Sequence, residues 1–377
     1  MFNLGVIYMK KSLVALAALA ATGAFAQSSV TLYGRIDAGL TNQKTVKQAN
    51  GTAPSTNSTV FDLAGAQNRK TGARLGVTGV EDLGGGLKAG FVVESRVNID
   101  ASNGGTFGDT RQANINLNGG FGTIVLGTYY NAFDDLRYAH SPNIGGSAGG
   151  DGFEGFGSTL LVPGSTSTPP ATYNVGALAS RSQNGLGYST PSFGGFKIRA
   201  SVTSRKNNAD AQTPAGEKTN GFGVAAGYDN GPLSVLGVVG AAKQAKQATG
   251  DQVAKITDFG FNVKYDFGVA VPYFIFEQSK TIYGPGPAFI KGRGIEVGAK
   301  FPLGAFTPYV TGNFNKFSTD TAIKGKTVGF QVGTNYDISK RTSAYVALGS
   351  SKASNTTTGA NAYEKKTGVA LGLVHKF

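Results

Sequence analysis

Bond-making chemistry needs a nucleophile or an activated water beside a base, most often histidine. This chain carries two histidines, His140 and His375, and no cysteine. Neither histidine has a carboxylate partner in the sequence, and His375 stands on an apolar face two residues from the end. Two distant imidazoles without a thiol do not make a metal site. The triple glycine at 84–86 links two strand-like stretches, whereas a phosphate-binding loop joins a strand to a helix. The charged residues that do fall into a pattern are arginines. Tyr33, Arg35 and Asp37 share one face of an alternating stretch whose other face is Leu32, Ile36 and Leu40, and in GARLGVTG Arg74 and Thr78 oppose Leu75 and Val77. Cations fixed on the polar side of two-faced strands set up a field and make no bonds. No catalytic residue, metal or cofactor is expected, and no enzyme activity.

Such a field needs a scaffold of alternating strands, and the sequence supplies one. In DFGFNVKYDFG, Phe259, Phe261, Val263, Tyr265 and Phe267 share one face, with Gly260, Asn262, Lys264 and Asp266 on the other. TVGFQVGTNY repeats this, with Val328, Phe330, Val332 and Tyr336 opposite Thr327, Gln331 and Asn335. Segments of roughly 9 to 12 alternating residues mark transmembrane β-strands. After residue 26 no apolar run is long enough for a spanning helix. The connections are of two unequal kinds that take turns. Short ones lie at 83–86, 119–122, 191–195, 229–232, 266–268, 302–305 and 337–341. Long polar ones lie near 43–71, 100–109, 131–172, 206–218, 244–254, 281–290, 318–324 and 353–363. They separate sixteen strands, so the expected fold is all-β: a 16-stranded antiparallel transmembrane β-barrel with short periplasmic turns and long extracellular loops. Aromatics such as Phe193, Phe196, Tyr228, Tyr265, Phe306 and Tyr336 flank the short turns, as an interfacial girdle does. The closing KTGVALGLVHKF alternates to its last residue, which makes Phe377 the final girdle residue of the strand that closes the barrel. The stretch from Val269 to Lys280 is apolar on both faces, and its parity leaves the inward side open.

Near the other end, MKKSLVALAALAATGAFA has a basic start, a short apolar core and small residues at Ala24 and Ala26, the pattern of a secretory signal peptide. Residues 1–26 are expected to be removed, leaving 27–377 as a single barrel domain in the outer membrane. The formal net charge is +13, yet an exported chain meets no cytoplasmic nucleic acid.

The segments SSVTLYG (28–34), GARLGVTGVEDLGGGLKAGF (72–91), FGTIVLG (121–127), RSQNGLGYSTPSFGGF (181–196), YDISKRTSAY (336–345) and the terminal HKF resemble the trimeric general porins of Gram-negative outer membranes, in particular the betaproteobacterial branch. The resemblance implies a homotrimer among outer-membrane lipids that passes small hydrophilic solutes and ions passively. It implies a basic ladder on the pore wall at Arg35, Arg74, Arg111 and Arg181, facing acids on a third loop folded into the lumen. That loop offers Asp134, Asp135, Asp151 and Glu154, although the family's PEFGG motif is absent and DGFEGFG (151–157) is the nearest approach. Excess arginine implies a preference for anions, and Arg137 and His140 in the same loop add to it. Arg111 shares its face by parity with Ala113, Ile115 and Leu117; a β-bulge near Gln112 would turn it inward, and otherwise it snorkels at the membrane edge. The last strand, with Phe377, His375 and Leu373, resembles the signal read by the barrel insertion machinery. The alternatives are a substrate-selective porin and a structural or adhesin barrel with a plugged lumen.

Overall fold

The computed structural model describes residues 28–48, 55–63, 72–99, 106–142, 160–161, 172–173, 181–206, 218–244, 254–283, 289–320, 323–355 and 362–377. The expected leader, Asp151 and Glu154 lie outside the described residues. In chain order the elements are β1 (Ser29–Gln48), β2 (Ser55–Leu63), β3 (Arg74–Gly84), β4 (Leu87–Val97), β5 (Phe107–Gly119), β6 (Gly122–Tyr130), α1 (Ala132–Tyr138), β7 (Leu160–Leu161), β8 (Thr172–Tyr173), β9 (Arg181–Ser189) and β10 (Phe196–Lys206). There follow β11 (Lys218–Asn230), β12 (Leu233–Gln244), β13 (Ala254–Tyr265), β14 (Val271–Tyr283), β15 (Phe289–Lys300), β16 (Phe306–Thr319), β17 (Lys324–Asp337), β18 (Thr342–Asn355) and β19 (Tyr363–Lys376).

All of these strands except β7 and β8 form one antiparallel sheet, and β1 pairs with β19 to close it. Along its other edge β1 pairs with β3 through Ser29–Arg35 and with β2 through Leu40–Lys47, so β2 and β3 serve as one wall strand and the barrel has sixteen. The first long connection, expected from residue 43, is therefore partly wall. Closure leaves no edge strand in lipid. At the seam Gly34 and Phe377 exchange both backbone hydrogen bonds at 3.1 Å, and the Phe377 ring lies where a Cβ on Gly34 would stand.

The barrel is inside-out relative to a soluble fold. Val30, Leu32, Phe222, Phe330, Leu348 and Leu371 are exposed, whereas Glu277, Glu296, Asn262, Asn315 and Gln331 are fully buried. Alternation explains this directly, because one face of every strand meets hydrocarbon and the other the interior. The inward polar groups bond one another: Tyr309 Oη donates to Gln331 at 2.7 Å, Tyr273 Oη to Glu296 at 2.8 Å, and Tyr345 Oη to Asp37 at 3.0 Å. At the turn end, aromatics pair across strands, with ring centroids 4.5 Å apart for Phe196 with Tyr228 and for Phe306 with Tyr336, and Tyr265 meets Phe267 of its own turn at the same distance.

Candidate functional site

The connection after β6 turns at once into the lumen as α1. Asn131 caps it, its side chain accepting from Phe133 N at 3.0 Å. Three things seat this helix against β11–β14. Phe133 and Leu136 pack on Ala225, Leu236, Val238, Tyr273 and Ile275. Asn262, fully buried on β13, donates to the Asp135 and Leu136 carbonyls, each at 3.0 Å, and so ties the end of the helix to the wall, the Asp135 carbonyl also accepting from Ala139 N at 3.2 Å. Arg137 completes the seat: its Nε lies 2.9 and 3.0 Å from the two Glu277 carboxylate oxygens, and its Nη2 lies 3.3 Å from Asp258. The three groups are 6%, 0% and 2% exposed, so this is a buried ion cluster. Gly260 makes room for it, because a Cβ there would fall 2.5 Å from Leu136 Cδ2 and 2.7 Å from the Phe276 carbonyl.

The double-sided apolarity of β14 follows from this contact. Val271, Tyr273, Ile275 and Glu277 face inward, and Tyr273 and Ile275 lie beneath α1. The expectation that Arg137 and His140 strengthen the lumen's positive charge does not hold. Arg137 is neutralised by its two carboxylates, and burial beside Lys264 and Lys300 lowers the pKa of the His140 imidazole, which keeps it neutral.

Across the lumen the arginines gather around one carboxylate that sequence reasoning missed. Glu94 of β4, 2% exposed, accepts from Arg111 Nε at 2.9 Å, Arg74 Nη1 at 3.3 Å, Tyr33 Oη at 3.0 Å and Tyr130 Oη at 3.3 Å. Arg35 stands on the same wall and donates to the Gly72 carbonyl at 3.1 Å. Arg111 reaches this group because the β4–β5 register shifts: Glu94 pairs with Gln112 and Ser95 with Thr110, which leaves Arg111 as the extra residue of a bulge. The signal for Glu94 was its parity in FVVES, opposite Phe91 and Val93, since a strand carboxylate facing inward needs a cation.

Arg181 sits apart from that cluster. Its Nη1 donates to Asp109 at 3.0 Å and to the Thr110 carbonyl at 3.1 Å, while Arg96 holds the other Asp109 oxygen at 2.7 Å. A second bulge follows it on β9: between Gly127↔Gly185 and Tyr129↔Ser182 one residue of β6 faces two of β9, and Asn184 there takes φ 48°.

Of the loop acids within the described residues, Asp135 is paired with Arg199 of β10. Asp134 faces the arginine wall, in the field of Arg111 and Arg74. Burial, joined by the adjacent Asp135, raises its carboxyl to about 6. It is therefore ionised at neutral pH and protonated in mild acid. As pH falls through about 6 the loop loses one negative charge, and any anion preference should rise. Reversal potentials between pH 5 and 8 should show this step, and Asp134→Asn should remove it.

The chain matches the family model described as Gram-negative porin over residues 12–356. It is 32% identical to outer membrane porin protein 32 of Delftia acidovorans, covering 98% of this chain and 100% of that one. It is 31% identical to an outer membrane porin protein of Bordetella pertussis, again covering 98% and 100%. The solved structure of an anion-selective porin from Comamonas acidovorans superposes with a TM-score of 0.65 at 26% identity, covering 93% of this chain and all of that one.

Proposed function

This chain belongs to the Gram-negative porin family, and from that premise we propose that it is an anion-preferring channel whose selectivity is set by Arg35, Arg74 and Arg111 facing Asp134. As a family member it is an integral outer-membrane β-barrel for general diffusion of small hydrophilic solutes, and it is not an enzyme. The observation that carries the selectivity is the charge imbalance on the wall. Five guanidinium groups, of Arg35, Arg74, Arg96, Arg111 and Arg181, stand there against three carboxylates, Glu94 between Arg74 and Arg111, Asp109 between Arg96 and Arg181, and Asp37 in the field of Arg35, and the loop opposite adds Asp134. Asp135 is paired with Arg199, and Arg137 is held between Glu277 and Asp258, so neither adds a free charge to the lumen. A transverse field of this kind orders water and polar solutes and disfavours apolar ones, while the surplus of cations raises local anion concentration. Arg181 and Arg96 share Asp109 and make a second, weaker basic step. Asp151 and Glu154 complete the proposed set of loop acids.

The unit is proposed to be a homotrimer of residues 27–377 after loss of 1–26, inserted by machinery that reads the last strand with Phe377, His375 and Leu373. The similarity to trimeric porins and the outward Leu373 and Phe377 on the closing strand support this. In planar bilayers a tenfold potassium chloride gradient should give a reversal potential of chloride sign at low salt. The preference should fade as the Debye length contracts from roughly 30 Å at 0.01 M to about 3 Å at 1 M. A potassium-selective or non-conducting channel would overturn the reading.

A further inference from the structure

We propose that a cavity between α1 and the wall strands β6 and β9–β12 is a subsite for apolar α-amino acids in their zwitterionic form. The cavity has a volume of about 140 Å³. Its floor is nearly bare backbone, because the inward rows of β9, β10 and β11 hold Gly187, Ser201 and Gly223 where they pass under the start of the helix. Gly187 gives its place to Tyr129, whose Oη lies 2.7 Å from where a Cβ would stand. Gly223 leaves room instead: a Cβ there would meet the Phe133 ring at an ordinary 3.7 Å and the rotatable Ser201 hydroxyl at 3.2 Å. The sides are apolar, with the Phe133 ring, Val125 and Val238 among them. An engineered apolar cavity of roughly 150 Å³ takes up one benzene. By that measure one branched aliphatic chain or one phenyl ring fits here, and an indole does not.

One side of the cavity carries charge, and it carries both signs. Arg199 of β10 lines the cavity and is paired with Asp135 of α1, so the pair bridges wall and helix. Side-chain exposures of 31% and 48% keep both groups within reach of solutes in the lumen. Among the described residues the contact joins one guanidinium nitrogen, Nη1, to one carboxylate oxygen, Oδ2. Further N–H groups of Arg199 and the second oxygen of Asp135 are left to a ligand. A cation and an anion side by side at an apolar cavity complement an amino acid. Its carboxylate accepts from Arg199, its ammonium donates to Asp135, and its side chain enters beside Phe133, with both polar contacts charge-assisted. A simple anion would gain from Arg199 and be repelled by Asp135, and a simple cation would meet the reverse. The cavity shares Tyr130 with the Glu94 cluster but takes in none of that cluster's arginines, so the subsite does not depend on the anion preference proposed above.

The test is equilibrium dialysis of radiolabelled ligands against the full-length barrel in detergent micelles, with protein-free micelles as the blank. Leucine and phenylalanine should be retained, and glycine should bind roughly tenfold more weakly or worse, because each buried methylene adds to affinity. Leucine without its ammonium is 4-methylpentanoate, and without its carboxylate it is 3-methylbutylamine. Each should bind roughly tenfold more weakly than leucine, since one charge of the pair then faces no partner. Tryptophan should be excluded by size. In D135N/R199Q both charges go together and neither is stranded, and leucine retention should fall to the level of glycine. G223V fills the cavity and should lower leucine while leaving glycine as it was. Heat-resistant oligomer on unheated gels is the check on assembly. Should a variant fail to assemble, the comparison among ligands on wild-type protein still decides. Leucine bound no better than glycine, either single-charge analogue bound as tightly as leucine, or undiminished leucine retention in an assembled variant overturns the proposal.

Discussion

Replacing Arg137 with methionine should unseat the third loop and widen the pore without unfolding the barrel. The substitution leaves Glu277 and Asp258, both almost fully buried, without the cation that lies between them. Removing one partner of a buried ion pair costs about 3–5 kcal/mol, because the remaining charge stays desolvated. With every 1.4 kcal/mol worth tenfold, the balance between seated and released helix should shift by roughly two to three orders of magnitude. The wall is held by its own ladder of backbone bonds and should persist. Single-channel conductance in 1 M salt is the informative measurement, since screening there removes most of the field and leaves width. It should rise, with more frequent closures as the loop moves. The triple variant Arg137→Met, Glu277→Gln, Asp258→Asn takes all three charges away together and should restore the narrower state. Gly260→Leu, which puts a side chain where Leu136 sits, should release the helix with no change of charge. Wild-type conductance in both Arg137→Met and Gly260→Leu would show that the loop is held by something else.

This seat also marks the limit of what the sequence discloses. Strands such as β13 and β17 are legible because lipid outside and water inside impose opposite demands on successive residues. β14 breaks that rule, since its inward row must present Tyr273 and Ile275 to Phe133 and Leu136 of the third loop. A helix bound inside the barrel turns part of the polar face apolar, and within β14 a single residue hints at it. Glu277 was the clue: an acid in the middle of FIFEQSK has to meet a cation, and Arg137 lies 140 residues earlier in the chain. The outer parts of β1 and β2 read as loop because both of their faces are polar. Arg35 and Arg74 were placed by parity, whereas Arg111 depends on a bulge, and a one-residue shift reverses every assignment beyond it. Glu94 lies on the face that parity predicts, but its importance emerges only when the register brings four strands' side chains to it.

The double variant Arg74→Gln, Arg111→Gln should reverse the pore's selectivity at neutral pH and low salt. In the wild-type wall, Arg35, Arg74 and Arg111 stand against Glu94 and Asp37, with Asp134 opposite. Removing two cations leaves Arg35 against three acids, so the local balance becomes negative. In a tenfold salt gradient the reversal potential should cross zero toward the potassium side, within the limit of ~59 mV for a monovalent ion. Arg181→Gln alone should change little, because Arg96 keeps its hold on Asp109. Stability is the competing explanation, since Glu94 is buried and loses both arginines. It retains the Tyr33 and Tyr130 hydroxyls as donors, which bounds the loss. Adding Glu94→Gln removes the orphaned charge and separates the two effects. If selectivity follows the wall charge, the triple variant should recover part of the anion preference while matching wild type in heat-resistant oligomer on unheated gels. If instead the double variant is merely misfolded, adding Glu94→Gln restores oligomer and full wild-type selectivity together. A double variant that assembles normally and keeps the wild-type reversal potential would remove these arginines from the selectivity-determining region altogether.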